Sequence, residues 1–175
     1  MTSDSYPLDN PGPVPAVEIA DAWRRELPDA PADAITVVTP IWRIAKLLAD
    51  DRRRLLARLG VEPATLDLLS TIRRGGEPYE LTTRDIAAST LVTAGAISQR
   101  VARAERDGLV ERRRGVARTV WVRLTGSGHT LTDRVVGEIL RRETELLSGL
   151  TGARQTQLAD HLDVLYRDLT ARLAD

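Results

Sequence analysis

The chain has 175 residues, 42% of them hydrophobic, with 25 basic and 25 acidic side chains, no cysteine and two histidines. That suits about one globular domain with length to spare, and it excludes disulfides, thiolate metal sites and cysteine nucleophiles. With His129 and His161 alone, zinc and general-base chemistry lose their usual ligands, so neither an enzyme nor a metal or cofactor is expected.

No run of about 18 apolar residues is present and the N-terminus has no apolar signal core, so a cytoplasmic chain without a membrane span is expected. Lys46 is the only lysine, and every other basic residue is arginine. The neutral total hides a segregation: eight arginines against three acids fall between Arg100 and Arg123, leaving the rest acidic. One basic patch on an acidic body is what contact with a phosphate backbone requires.

Pro7, Pro11, Pro13 and Pro15 with Gly12 predict a mobile leader over residues 1–15. Val17, Ala20, Trp23 and Leu27 then recur at helical spacing, in a short helix that Pro28 and Pro31 close. A second helix is predicted from Asp33 to about Leu59, with Ile35, Val38, Ile41, Trp42, Ala45 and Leu48 as its stripe and Gly60 as its stop. Pro63 opens a third helix carrying Leu66, Leu69 and Ile72, and Gly75-Gly76 ends it.

After an extended Tyr79–Leu81, Thr82 to Asp85 reads as a capping box for a helix of about two turns. Ser89 to Val92 turns the chain, and Thr93 caps a helix that lasts to Asp107 and stops at Gly108. The period then becomes alternating: strand from Leu109, a tight turn at Arg114–Ala117, strand again to Leu124. Val120 and Trp121 are expected to pack this hairpin onto the body. A long helix follows to about Leu150 with Leu131, Val135, Ile139, Leu146 and Leu150 inward. Thr151 starts a last helix bearing Leu158, Leu162, Leu165, Leu169 and Leu173.

Two short helices joined by a turn and followed by a ribbon is the order of a winged helix-turn-helix. The expected fold is therefore mainly α (α+β): leader 1–15, N-terminal helices 16–59, a DNA-binding lobe 60–124 and C-terminal helices 125–175. At 100° per residue, Ile97, Val101 and Ala104 pack inward on the helix that would enter the major groove. Gly95, Ala96, Gln99 and Arg103 face out, with Ser98 and Arg100 on the flanks. Thr93, Ala94, Ala96, Ser98, Gln99 and Arg103 are the candidate DNA contacts from this helix, Gln99 suiting adenine and Arg103 guanine or phosphate. Arg113, Arg114 and Arg118 are the candidates from the hairpin, Arg118 being placed to reach a minor groove. The helices at 33–59 and 125–173 carry more apolar surface than so small a lobe covers, which points to dimerisation helices and a homodimer.

From about Asp33 to its end the chain resembles the MarR family of bacterial transcriptional regulators. The likeness rests on Leu81-Thr82-Thr83-Arg84-Asp85-Ile86-Ala87, Thr93-Ala94-Gly95-Ala96-Ile97-Ser98-Gln99-Arg100-Val101, Glu105-Arg106-Asp107-Gly108-Leu109-Val110 and Val122-Arg123-Leu124-Thr125. It implies a homodimeric repressor on a pseudo-palindromic duplex. Trp23-Arg24-Arg25-Glu26-Leu27-Pro28-Asp29 and Leu66 to Arg74 further resemble the urate-responsive branch, which has an added N-terminal helix. By motif position that likeness gives Trp23, Asp67, Arg100 and Arg112 to a pocket for a small anion such as urate, xanthine or a tricarboxylate. On their residues alone, Trp23 could simply anchor its helix, Asp67 be a solvated carboxylate and Arg112 bind phosphate. The hairpin departs from the family: its tip is short and lacks the usual aspartate. Two rival expectations stand beside this one. One is a MarR-type regulator answering to phenolic compounds or to no ligand, and the other is a helical protein-interaction module.

Overall fold

The computed structural model describes residues 14–90, 93–116 and 119–174. Most of the expected leader (1–13), two residues of the expected turn (Leu91 and Val92) and Ala117 and Arg118 of the wing lie outside them. The chain divides into two compact units between Pro63 and Ala64.

The first unit holds α1 (Ala16–Glu26), a 3-10 turn (Ala32–Ala34) and α2 (Ile35–Leu59). Arg24 ties α1 to that turn by pairing with both Asp21 and Asp33. Arg43 on α2 donates to the Val14 carbonyl at 2.8 Å, holding the start of the described chain. The helix α2 passes through Pro40 and stops at Gly60, whose φ of 68° is the left-handed cap that glycine adopts without penalty. Only Thr39, Leu55 and Leu56 of α2 are buried. The predicted stripe stays largely uncovered within the single chain: Val38, Trp42 and Leu48 are exposed, with Val37, Ile44 and Leu47 beside them.

The second unit begins with α3 (Pro63–Arg74), in which Leu68 and Thr71 join the predicted Leu66, Leu69 and Ile72 in the interior. Next come β1 (Glu80–Thr82), α4 (Thr83–Ala88), α5 (Ala94–Arg106), β2 (Val110–Arg114) and β3 (Val120–Leu124). The capping box is present: Thr82 Oγ1 accepts from the Asp85 amide at 3.1 Å, and Asp85 accepts from the Thr82 amide in return. The hairpin is one part of a three-stranded antiparallel sheet in the order β1-β3-β2, so the brief extended stretch after Pro78 becomes an edge strand. Leu81, Val122, Val110 and Leu124 point to one face and meet Leu68, Leu69, Ile72, Ile86, Ile97 and Val101 in a single apolar core. This core fixes α5 and the sheet against one another.

Tyr79, just before β1, has a φ of 57°, which a bulky side chain adopts only under constraint. The constraint is visible. Arg73 lies 4.7 Å over the ring, His129 meets it edge-on at 4.6 Å, and Arg73 forks onto Asp133 of the following helix.

That helix, α6 (Gly126–Leu146), is capped by Thr125 and buries Gly128, Thr132, Val135 and Ile139. It stops four residues short of the expected Leu150, because Ser148 and Gly149 favour turns over helix, and Leu146 is exposed instead of inward. The last helix, α7 (Gly152–Arg172), has Thr151 as its cap, as predicted, and no buried residue.

Where β2 and α6 meet, backbone lies directly on backbone. A Cβ on Gly128 would fall 2.0 Å from the Leu109 carbonyl oxygen, far inside contact distance. Nothing flexible can yield there. Gly128→Ala is therefore expected to destabilise by about 2 kcal/mol or more and to lower Tm by roughly 5 °C. Gly126→Ala, with nothing within 4 Å of the added carbon, should stay within about 0.5 kcal/mol of the parent in the same thermal melt.

Candidate nucleic-acid interface and its paired arginines

The helix α5 starts at Thr93, whose hydroxyl accepts from the Ala96 amide at 3.4 Å, and ends at Gly108 with φ 68°. Ile97, Val101 and Ala104 are each 1% exposed, so the helix is seated by the predicted face. Gly95, Ser98, Gln99 and Arg103 are exposed, while Ala96 and Arg100 are half-buried at the flanks. Ala94 is on the first turn of the helix, and its side chain lies outside the described residues. The outward strip begins with small residues, which lets the helix end come close to a flat or grooved partner.

Two ion pairs pin this helix. Arg100 Nη1 lies 3.4 Å from Asp67 Oδ2 on α3. Arg112 Nε on β2 donates to Glu105 Oε2 at 2.7 Å. That hydrogen bond holds the Glu105 carboxyl below its ordinary value of 4.5, desolvation opposing, and raises the Arg112 guanidinium. Three of the four residues assigned to an anion by family likeness are thus already engaged with charge inside the second unit. Arg100 and Asp67 are partners of one another. Trp23 belongs to the first unit, on α1, and its ring is half exposed.

Arg113 and Arg114 are exposed on β2, and Arg118 lies outside the described residues. Arg113 does not stand alone: its Nη2 donates to both oxygens of Glu80, at 3.2 and 3.1 Å. Val116 at the tip is 90% exposed. Sequence reasoning named the arginines but missed Glu80 and Glu105. The signal for Glu105 was there, since it precedes Arg112 by one helix end and one tight turn. Also missed was a groove of about 370 Å³ between α3 and α6, lined by Arg73, Arg74, Thr132, Asp133, Val136 and Leu140 among others. Among the described residues no cluster of three metal-ligating side chains occurs, and no helix is long and apolar enough to cross a membrane.

A helix held by one face, presenting the other beside an arginine-rich hairpin, is the geometry of a winged helix-turn-helix. Residues 59–117 match the MarR family model. That stretch, which holds the helix-turn-helix and the first strand of the wing, is similar to the MarR family. The chain is therefore similar to DNA-binding transcriptional regulators. The HTH-type transcriptional regulator PecS from Dickeya dadantii is 27% identical over 143 residues, covering 81% of this chain and 86% of its own. A MarR-family protein of Bacillus stearothermophilus superposes with a TM-score of 0.65 at 22% identity, covering 77% of this chain and 93% of that one. A mutant of MarR from E. coli, crystallised with operator DNA, superposes at 0.59 with 25% identity, covering 76% of this chain and 98% of that one.

The Glu105–Arg112 pair has a definite pH signature. Because the folded carboxyl titrates lower than the unfolded one, its contribution is full above the ordinary value of 4.5 and fades as pH falls below it. The pair is near the surface, so its size is below about 1 kcal/mol. In urea melts Glu105→Gln should be slightly less stable than the parent at neutral pH, and the difference should shrink as pH falls below 4.5.

Proposed function

We propose that the chain acts as a homodimeric repressor. Each protomer lays α5 in a major groove of a pseudo-palindromic duplex, and a small anion, such as urate, xanthine or a tricarboxylate, releases the complex. The observation that carries this reading is the double pinning of α5: Arg100 to Asp67 at its middle and Glu105 to Arg112 near its C-terminal end. Both arginines are occupied by carboxylates, so each already holds an anionic oxygen partner, as an oxyanion of a purine or a carboxylate of a metabolite would be. An anion taking both guanidinium forks would exchange those partners and shift the helix with the root of the wing. The energies match. Exposed pairs of this kind hold with roughly 0.2–1 kcal/mol each, within reach of the roughly 1–3 kcal/mol typical of a coupling between sites.

The groove contacts are assigned to Thr93, Ala94, Ala96, Ser98, Gln99 and Arg103, and the phosphate or minor-groove contacts to Arg114 and Arg118. Self-association is supported by the apolar residues that the single chain leaves exposed, including Trp42 and Leu47 on α2 and Leu158, Leu162 and Leu169 on α7. A two-fold axis would set the two reading helices about 34 Å apart, one duplex turn.

The test is fluorescence anisotropy on a labelled duplex from the promoter beside the gene, read across a salt series, with sedimentation of the free protein. A dimer whose affinity falls steeply with salt is expected, with a slope of about −0.9 per phosphate contacted. Gln99→Ala should lower the preference for that duplex over random DNA by roughly tenfold. Urate, xanthine or citrate should raise Tm and release the duplex, and Arg100→Gln should abolish both responses. If none of the three acts on a chain that still binds DNA, the anion assignment is wrong and a regulator of phenolic or no ligand remains.

A further inference from the structure

We infer that Arg113 is a positioning residue, a strut that locks the wing to the body of the lobe and does not itself bind phosphate. This rests on the DNA-binding reading and refines which wing residues meet the duplex. The register places Glu80 opposite Arg123, and Trp121 opposite both Thr82 and Arg113. Glu80, Trp121 and Arg113 therefore share the outer face of the sheet, one on each strand. The Glu80–Arg113 pair runs diagonally over the central strand and ties the two edge strands together.

The chemistry suits a lock. The Glu80 side chain is only 15% exposed, and the guanidinium forks onto both of its oxygens, at 3.1 and 3.2 Å. The same guanidinium lies 5.7 Å over the Trp121 ring. The ring in turn covers the start of the wing turn, where a Cβ on Gly115 would fall 2.9 Å from Trp121 Nε1. Gly115 is held there by its amide, which donates to the Thr119 carbonyl at 2.7 Å. An unbroken set of contacts thus runs from β1, next to the helix-turn-helix, to the wing turn. A planar, forked cation stacked on a ring is a role that lysine cannot fill.

The two roles for Arg113 predict opposite signs. If it bound phosphate, Glu80→Gln would free it and delete a negative charge, tightening DNA binding, and Arg113→Lys would keep the charge and the affinity. If it is a strut, both substitutions loosen the wing and weaken binding by roughly fivefold, a factor in keeping with the loss of one partly exposed ion pair. Anisotropy on the labelled promoter duplex measures the affinities. Amide hydrogen exchange measures the hairpin directly in the absence of DNA. The β2 and β3 amides should exchange faster in both variants while those of α3 and α6 do not change. Glu80→Gln binding as tightly as the parent or tighter, with unaltered hairpin exchange, overturns the assignment. Should Glu80→Gln fail to fold, Arg113→Lys decides alone. If the parent itself shows no affinity for duplex DNA, the DNA-binding reading fails, and the exchange data still decide whether the strut exists.

Discussion

Everything that this lobe presents to a partner depends on the burial of one face of α5. Ile97, Val101 and Ala104 are removed from solvent almost completely, against Leu68, Leu69, Ile72, Ile86 and Val122. Burying the two larger side chains contributes about 1.5–3 kcal/mol each. The two ion pairs, at the middle of the helix and near its C-terminal end, are each worth a fraction of that and cannot decide whether it is seated. They can decide its angle. The division of labour is physical: apolar area, which has no direction, supplies the holding energy, and charge pairs, which have direction, set the orientation.

The same division explains how an electrically neutral chain carries a cationic surface. Several arginines between Arg100 and Arg123 have acidic partners: Arg100 with Asp67, Arg112 with Glu105, Arg113 with Glu80. The positive stretch in the sequence is consequently less positive in the folded lobe than a count of residues implies. What reaches outward is selected by which guanidinium groups the fold has already engaged.

Most of the architecture could be read from the order of residues. Periodicity and stop signals placed every helix, and the Thr82–Asp85 capping box and the glycines at 60 and 108 fixed ends to within a residue or two. The helix α6 ended early because a leucine at position 150 continued the apolar pattern across Ser148 and Gly149, and local turn preference prevailed over pattern. The third strand was half seen, as an extended stretch, since nothing local says which strand it will join. In the site, the outward and inward faces of α5 followed from angle alone. The partners of the arginines did not. Glu80 and Arg113 are 33 positions apart, as are Asp67 and Arg100, and only the folded register brings such pairs together. Family likeness pointed to Asp67 and Arg100 as parts of one site without indicating that they would bond to each other.

The contact at Gly128 gives the lobe a mechanical property. Side chains usually cushion the junction between a helix and a strand, and rotamer changes absorb small shifts. Here the α6 backbone rests on the Leu109 carbonyl with no room for even a methyl group, and Thr125 Oγ1 donates to the Gly108 carbonyl at 2.7 Å alongside. The joint has no slack, so a tilt of α6 is handed on undamped to the segment joining α5 to β2.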